Sequence, residues 1–245
     1  MSRFEPARYL PLLLAPLILF AGPPGSGQQT AGNVSLPQVL DDGVFQISLA
    51  GRPVGRESFR IHATAEGFEA QAEIRLRLDQ GGKTVAIQSF PDLTLDPQLR
   101  PLTYHWSQKG SQASRLEVDF RGQLTRVLYR TISGAEDMRD FQLAPDVVVL
   151  DDNVVHHYQL IAARYQALGG GTQTFRVFVP QEALPSLLTV QEGENAAEAS
   201  GGTAAALRHL LVSTDVTRID LWVDSQPRLQ RVLVPSAQLE AIRIK

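Results

Sequence analysis

The sequence predicts a mainly β protein, with a large curved antiparallel sheet (a half-barrel or an open barrel) packed on one principal helix. The clearest strand lies at 69–78, where apolar residues alternate with polar and charged residues at every position. Such strict alternation is typical of a sheet with one solvated face. Short turns that contain glycine separate the strands, and the segment 151–168 has the residue spacing of a long helix.

The remaining strands follow from the same alternation of apolar and polar residues. Turns rich in glycine or proline join them, so we expect a meander of long antiparallel strands. The predicted strands lie at 45–49, 58–62, 69–78, 85–95, 102–107, 115–121, 124–132, 175–179, 187–192, 205–213, 219–223, 229–234 and 239–244. The segment 133–140 is polar and contains glycine, and it is predicted to be an exposed loop.

The segment 151–168 carries helix signals at both ends. Asp151 and Asp152 are predicted to cap its first turn, where carboxylates also interact favourably with the helix dipole. Three consecutive glycines at 169–171 end the helix. Its apolar residues recur at spacings of four and three and form one stripe, which we expect to pack on the sheet. These residues are Val154, Tyr158, Ile161, Tyr165 and Leu168.

The first residues of the chain predict export. Two arginines precede an apolar run at 9–21, which is followed by glycine and proline, a pattern typical of a secretory signal peptide. We therefore predict a signal peptide at 1–27, a polar linker at 28–43 and a single β-rich domain at 44–245, in a protein that is periplasmic or extracellular. A retained membrane anchor is the alternative, but the apolar run is shorter than the roughly 20 residues that span a bilayer.

Composition excludes several classes of function. The formal net charge of the 245-residue chain is −3, which gives no basic surplus for binding nucleic acid. Cysteine is absent, so disulfides, thiolate metal sites and a lipid-bearing cysteine are excluded. The stretch 17–30 resembles a phosphate-binding loop, but Gln28 occupies the position where nucleotide hydrolysis needs a lysine. We predict no cofactor, and contact with the membrane only through the N-terminal leader.

Two pairs of residues near the start of the predicted helix are candidates for chemistry. His156 and His157 are adjacent, so their side chains point about 100° apart on a helix and cannot bind one metal together. His156 is predicted to face solvent, and His157 to lie at the edge of the apolar stripe. Asp151 and Asp152 could act as acid and base, but capping already accounts for them. The chain has no nucleophile-elbow or zinc-protease motif, and we predict neither catalytic residues nor a metal site.

Large amphipathic side chains are the candidate ligand-binding residues. They fall on faces of strands and of the helix that are predicted to point inward, where they either fill the core or line an apolar cavity. The candidates are Tyr104, Trp106, Tyr158, Tyr165 and Trp222. In a cavity, the polar tips of these side chains would orient a ligand.

A set of turn and packing motifs indicates a family. A Gly-x-x-x-Gly turn at 51–55 follows the first strand, and an Arg-Pro pair at 100–101 precedes an aromatic strand. The series of motifs continues with the predicted helix, which begins with two aspartates, and ends with the segments 221–224 and 229–235. Over roughly 44–245, the chain resembles uncharacterised exported bacterial β-proteins that are similar in fold to the LolA/LolB-type lipoprotein carriers. The resemblance implies a curved antiparallel sheet whose apolar concave side is closed by a helix. The missing lipobox cysteine and the single helix distinguish this chain from those carriers.

Three functions are compatible with these features. The first, which the sequence favours, is a non-enzymatic exported binding or carrier module for an apolar or lipid-like ligand held between sheet and helix. The second is a structural or interaction protein of the cell envelope whose sheet is filled by side chains. The third is a hydrolase that brings Asp151 and Asp152 together with a histidine from another strand. The space between sheet and helix discriminates between the first two functions.

Overall fold

The computed structural model describes residues 41–80, 82–110, 114–194 and 207–245. The predicted signal peptide, and the predicted linker up to residue 40, lie outside the described residues. The first described strand begins at Asp41, three residues before the predicted start of the domain. The guanidinium of Arg243, in the last strand, donates to the two carboxylate oxygens of Asp41 at 2.7 and 2.9 Å.

The described fold consists of fifteen strands and one α-helix. In chain order the strands are β1 (Asp41–Leu49), β2 (Arg52–Ala63), β3 (Phe68–Gln80), β4 (Lys83–Leu95), β5 (Pro101–Lys109), β6 (Ser114–Asp119), β7 (Thr125–Thr131), β8 (Glu136–Phe141), β9 (Val148–Val149), β10 (Gln173–Val179), β11 (Leu184–Glu192), β12 (Arg208–Ser213), β13 (Arg218–Val223), β14 (Leu229–Val234) and β15 (Leu239–Arg243). The helix α1 (His157–Ala167) lies between β9 and β10. Short 3₁₀ turns at Pro180–Glu182 and Pro235–Ala237 lead into β11 and β15. The predicted mainly β fold with one principal helix is confirmed.

All fifteen strands belong to one sheet, in which most strands pair with their neighbours in sequence. Pairing is antiparallel except between β9 and β10, which run parallel because α1 forms the crossover between them. β1 also pairs with β15, so the two halves of the chain, β1–β8 and β9–β15, join in the middle of the sheet. This arrangement is the long antiparallel meander that the sequence predicts.

The sheet is open and curves around its core. Within the described residues β8 and β9 are the edge strands. Phe141 of β8 nevertheless packs against Phe178 of β10, with 5.2 Å between the ring centroids, so the two edge regions approach each other. We name the end of the sheet at which β1 turns into β2 the upper end. Because the strands alternate in direction, the turns β10–β11, β12–β13 and β14–β15 lie at the upper end as well.

The helix α1 runs through the interior of the curved sheet. It begins at His157, six residues later than predicted, and ends at Ala167. Its last turn lies beside the start of β10, where Gln173 Nε2 donates to the carbonyl oxygen of Tyr165 at 3.0 Å. Eight of its eleven residues are buried. The spacing of apolar residues could not predict this enclosure, because the groups that cover the rest of the helix come from distant strands.

The strand β8 occupies the segment predicted to be an exposed loop. All its residues are exposed except the last, so no alternation marks it as a strand. It pairs with β7 through opposite charges: Arg126 faces Asp140 and Arg130 faces Glu136, at 3.0 and 2.6 Å. Cross-strand charge pairs stabilise such pairing, and charged residues are common on edge strands. Periodicity does not reveal a strand with two solvated faces.

The inner face of the sheet and α1 form one apolar core. Its largest fully buried side chains include Tyr104, Tyr158, Tyr165, Phe45 and Phe178. Gly55 lies on this inner face, and a Cβ atom there would come within 2.0 Å of the carbonyl oxygen of Arg75 on β3. The second glycine of the 51–55 motif therefore permits close approach of two strands, whereas Gly51 supplies the positive φ (73°) of the β1–β2 turn.

Candidate functional site

A carboxylate lies at the centre of the apolar interior. Glu57 of β2 shares the inner face with Phe59 and Ile61, and its cross-strand neighbours are Phe45 and Ile74. Its side chain is 0% exposed. Glu57 is not among the predicted site residues, although it lies in phase with the apolar residues of β2, which marks it as a core position. A charged group at a core position of a strand needs partners, because burying it alone is very unfavourable.

The partners of Glu57 come from the segment that leads into α1. Its carboxylate accepts the backbone N–H groups of Val155 and His156, each at 2.7 Å, and His156 Nδ1 lies 2.8 Å away. These N–H groups immediately precede the first helical residue, so Glu57 places a negative charge at the positive end of the helix dipole. The prediction that Asp151 and Asp152 cap the helix is wrong, because its first turn contains no acidic residue or capping side chain.

Asp151 is instead the acceptor of a second set of buried hydrogen bonds. The hydroxyl of Tyr104 donates to Asp151 Oδ2 at 2.6 Å. Gln181, in the 3₁₀ turn after β10, donates its backbone N–H to Oδ1 at 2.9 Å and its Nε2 to Oδ2 at 3.0 Å. Burial raises the pKa of Asp151 to about 6, although these hydrogen bonds oppose the rise. Burial and the nearby charge of Asp151 also raise the pKa of the Tyr104 hydroxyl.

The two histidines lie between Glu57 and Asp151, with 4.8 Å between their ring centroids. The backbone N–H of Asp151 donates to His157 Nδ1 at 3.1 Å, which requires that this nitrogen carries no proton. Burial, and secondarily the neighbouring His156, lowers the pKa of His157 well below its ordinary value. Both side chains are 0% exposed. The predictions that His156 faces solvent and that His157 lies at the helix edge are therefore wrong, because strands enclose this end of the helix.

The buried side-chain atoms without a hydrogen-bonding partner among the described residues include three near the start of α1: His156 Nε2, His157 Nε2 and the hydroxyl of Tyr158. Aromatic rings flank the two histidines. Phe59 stacks on the His156 ring with centroids 5.8 Å apart, and Tyr104 packs edge-on against His157 at 5.7 Å. Tyr158 has a different environment, since it lines two clefts at the upper end of the sheet.

The first cleft lies between the upper ends of β1–β3, β14 and β15 and the segment before α1. Its lining is almost entirely apolar and consists of Ile47, Leu49, Val54, Leu76, Leu78, Asn153, Val154, Val155, Tyr158, Val232, Val234 and Leu239. The space within it is about 20 Å³, which is enough for about one water molecule. The side chains that line this cleft therefore fill most of it.

The second cleft lies on the other side of Tyr158, between β10–β13 and the segment that follows β9. It has a similar volume of about 20 Å³ but a more polar lining. Its lining residues are Leu150, Asp151, Asp152, Tyr158, Val177, Ser186, Leu188, Val212, Thr214 and Ile219. Tyr158 is common to both clefts and is 2% exposed, so its ring forms the wall between them.

Four of the five predicted ligand-binding residues lie in the interior. Tyr104 and Tyr165 are fully buried, and their hydroxyl groups donate to protein acceptors, Asp151 in one case and the carbonyl oxygen of Gly171 in the other. Trp106 is 7% exposed and belongs to the core. Of the predicted set, Tyr158 lines the two clefts.

Trp222 lies on the outer face of β13, so its predicted inward orientation is wrong. Its neighbours Leu221 and Val223 belong to the core, and alternation places Trp222 on the opposite side. Its ring lies between His209, with centroids 5.0 Å apart, and the guanidinium of Arg231 at 4.4 Å. This strand has apolar residues on both faces, and its sequence alone does not indicate which face points inward.

Among the described residues, Asp151 and Asp152 do not come together with a histidine from another strand, as the predicted hydrolytic site requires. His62, His105 and His209 alternate with core residues and so lie on the outer face of the sheet. The pair formed by Glu57 and His156 is fully enclosed. Within the described ranges, no group of three or more His, Asp or Glu side chains is placed to hold a metal ion. No helix among these residues is long and apolar enough to cross a bilayer.

Comparison with known proteins gives similarity at the level of the fold. No protein-family model matches the chain, and no curated protein matches its sequence. A solved β-barrel-like protein from Brucella abortus, of the domain of unknown function DUF1849, superposes with a TM-score of 0.60 at 11% identity, over 86% of this chain and 98% of that one. A DUF1089 family protein from Pseudomonas aeruginosa gives a TM-score of 0.43 at 13% identity, over 84% of this chain and 95% of that one. The chain therefore has a β-barrel-like fold that is similar to that of the Brucella domain of unknown function.

Proposed function

We propose that the protein is an exported, non-enzymatic binding module that takes the end of an apolar, lipid-like ligand into the first cleft. The observation that carries this proposal is the lining of the cleft, which contains ten aliphatic side chains. Covering apolar surface of this kind is favourable by about 0.8 kcal/mol for each methylene group of a ligand that is buried. The predicted signal peptide and the resemblance to lipoprotein carriers support export and an acyl-type ligand.

The mouth of the cleft is the part that can adapt to a ligand. Leu49, Val54 and Leu78 are only partly buried, although they pack against the core. The enclosed space is small, so the ligand end displaces these side chains when it enters. The wall formed by Val154 and Val155 is fixed, because Glu57 binds the backbone of this segment. A fixed wall opposite an adaptable mouth suits a shallow site for one apolar tail.

Displacement of an uncharged fluorescent probe tests this proposal. The full chain is titrated with N-phenyl-1-naphthylamine, and the probe is then displaced with an uncharged alkyl alcohol such as octanol. We expect probe binding that Val54→Arg weakens by about tenfold or more, because the variant places a charge at the apolar mouth. Ile132→Arg is the matched control, since Ile132 is 69% exposed and does not line the cleft. Equal binding by the two variants would contradict the proposal.

The second candidate function is a structural or interaction protein of the cell envelope without a ligand. The observation in its favour is the filled interior, with about 20 Å³ of space in each cleft. Native mass spectrometry of protein purified from its own host discriminates between the two functions. A bound species of lipid-like mass supports the binding module. A wholly empty protein that also fails to bind the probe supports the structural role.

A further inference from the structure

Three carboxyl groups lie in or beside the second cleft. Asp151 and Asp152 line it, and Glu182 lies within hydrogen-bonding reach of Asp152. Gln181 fixes this arrangement, because its Nε2 donates to Asp151 Oδ2 and to the carbonyl oxygen of Asp152, each at 3.0 Å. The left-handed backbone of Asn153 (φ 59°) turns the chain directly afterwards. The fold thus holds negative groups together at one end of an apolar interior.

A positive partner would allow these carboxyl groups to ionise together. Two carboxyl groups in hydrogen-bonding contact both ionise only when a cation lies between them; otherwise one of them keeps its proton. Burial, followed by the charges of Asp151 and Glu182, raises the pKa of Asp152 accordingly. No arginine or lysine is among the described groups that act on the pKa of Asp152. A bound cation would relieve their mutual repulsion.

An independent feature of the same cleft also points to a ligand. Tyr158 is 2% exposed, and its hydroxyl has no hydrogen-bonding partner among the described residues. Burial and the charge of Asp152 raise the pKa of this hydroxyl, which places it in the field of the carboxylate. Buried hydroxyl groups nearly always have a hydrogen-bonding partner. A donor group bound in the cleft would provide that partner.

The size and walls of the cleft select the cation. Behind the carboxyl groups the walls are apolar (Leu150, Val177, Leu188, Val212 and Ile219), and the space is about 20 Å³. A primary ammonium group is about as large as a water molecule and presents three N–H donors at the end of an alkyl stem. A planar guanidinium is larger. Among the residues that the structure describes, no group of three or more His, Asp or Glu side chains is placed to hold a metal ion.

We infer that the second cleft binds the primary ammonium group of an amphiphile whose alkyl chain passes Tyr158 and enters the first cleft. Asp152 and Glu182 supply the negative charge, and the Tyr158 hydroxyl accepts an N–H of the ammonium group. This inference rests on the proposed function and specifies its ligand as an alkylammonium compound. Because Tyr158 lines both clefts, a ligand that displaces its side chain reaches from one cleft into the other.

Three probes with the same alkyl chain and different head groups test the inference: octylammonium, octanoate and octanol. Their affinities for the full chain are measured by displacement of N-phenyl-1-naphthylamine at pH 8. We expect octylammonium to bind about tenfold tighter than octanoate, because a partly desolvated ammonium–carboxylate hydrogen bond is strong. Asp152→Asn should abolish this preference. Tyr158→Phe should weaken binding of octylammonium by several fold and leave octanol almost unaffected.

Asp215→Asn is the matched control. Asp215 is an exposed carboxylate in the β12–β13 turn, at the same end of the sheet, and it does not line the cleft. Its removal takes a carboxylate away from the same end of the sheet, so a general electrostatic attraction would be weakened in this variant as well. Circular dichroism spectra and thermal unfolding of each variant confirm that it is folded before its affinities are compared.

The outcomes separate this inference from the proposed function. In one outcome, octanol binds and Val54→Arg weakens its binding, but octylammonium either shows no preference over octanoate or keeps its preference in Asp152→Asn. The ammonium site is then overturned and the binding module stands. If octylammonium binds in a manner that depends on Asp152 while octanol does not bind, the ammonium site stands and the apolar module is overturned. If none of the three probes binds, both are overturned.

Discussion

Glu57 is the residue on which the interior depends most directly. It accepts hydrogen bonds from two backbone N–H groups and contacts His156 Nδ1, so one buried carboxylate satisfies three polar groups of a distant segment. Removing one partner from such a set leaves the others desolvated and unpaired, which costs about 1–3 kcal/mol for each group. The hydrogen bonds that hold the start of α1 against β2 are therefore concentrated in one side chain.

Glu57→Ala should lower the free energy of unfolding by about 3–5 kcal/mol, because two N–H groups and a histidine nitrogen lose their acceptor. Glu57→Gln should cost less, since its amide oxygen can still accept one of these bonds. Urea denaturation followed by tryptophan fluorescence measures both changes. Glu66→Ala, at an exposed carboxylate in the β2–β3 turn, is the control and should change stability by less than about 0.5 kcal/mol. A loss below about 1 kcal/mol for Glu57→Ala would contradict this assignment.

Asp151 should make the stability of the protein depend on pH in an unusual direction. Its pKa in the folded protein is about 6, above the usual 3.8, so the folded state binds the proton more tightly than the unfolded state. The stabilising contribution of protonated Asp151 is complete below pH 3.8 and is lost as the pH rises through 6. The full change is at most about 3 kcal/mol, from about 1.4 kcal/mol for each pH unit of difference.

The difference in unfolding free energy between the wild type and Asp151→Asn isolates this dependence. We expect the wild type to lose up to about 3 kcal/mol relative to the variant between pH 4 and pH 7. His157 acts in the opposite direction, because its lowered pKa removes stability as the pH falls below 6.5. That effect is present in both proteins and cancels in the comparison. A difference that is constant over this range would show that the pKa of Asp151 is not raised.

At the scale of elements, α1 combines a polar sequence with an enclosed position. Its Gln159 is buried, donates to the carbonyl oxygen of Pro227 at 2.7 Å and accepts the backbone N–H of Leu229. This side chain therefore pairs with the backbone of the β13–β14 turn, and its polarity is compatible with an interior location. The sequence predicts the existence of the helix and its end near the glycines at 169–171. It does not predict the start at His157, because the carboxylate that binds the N–H groups just before the helix belongs to β2.

Introducing a charged side chain into α1 tests whether the helix is enclosed or has a solvated face. Ala162 is 1% exposed, so Ala162→Lys should lower the free energy of unfolding by more than about 3 kcal/mol, through overpacking and burial of a charge. Gln166→Lys introduces the same side chain at an exposed position of the same helix and should change stability by less than about 0.5 kcal/mol. Thermal and urea unfolding of the two variants provide the test. Similar stabilities would mean that α1 is not enclosed at Ala162.

At the scale of the whole molecule, pairing of the first and last described strands joins the two halves of the chain into one sheet. β1 pairs with β15 over five residues, and Arg243 and Asp41 form an ion pair whose side chains are 9% and 5% exposed. This pairing joins the β1–β8 half of the sheet to the β9–β15 half. The sequence predicts both strands correctly, but it contains no local signal that residues 202 positions apart are partners.

Arg243→Met should destabilise the protein by about 3–5 kcal/mol, because it leaves the carboxylate of Asp41 buried without its partner. Addition of Asp41→Asn to this variant should restore part of the loss, since the unpaired charge is then removed. The free energies of unfolding of the two single variants and the double variant form a mutant cycle. Arg176→Met, which removes an exposed pair with Asp146, should cost less than about 1 kcal/mol. Equal losses of unfolding free energy in the two arginine variants would argue against a special role for the pair of Arg243 and Asp41.

The sequence by itself determined the local features of this protein. Alternation of apolar and polar residues defines strands such as β3, and glycine-rich turns define their connections, because both depend on residues that are adjacent in the chain. The tertiary structure alone decided that α1 is enclosed, that Trp222 points outward, and that Glu57 binds the backbone of His156 across 99 positions. These outcomes depend on which distant strands surround an element, and local periodicity carries no information about contacts at that separation.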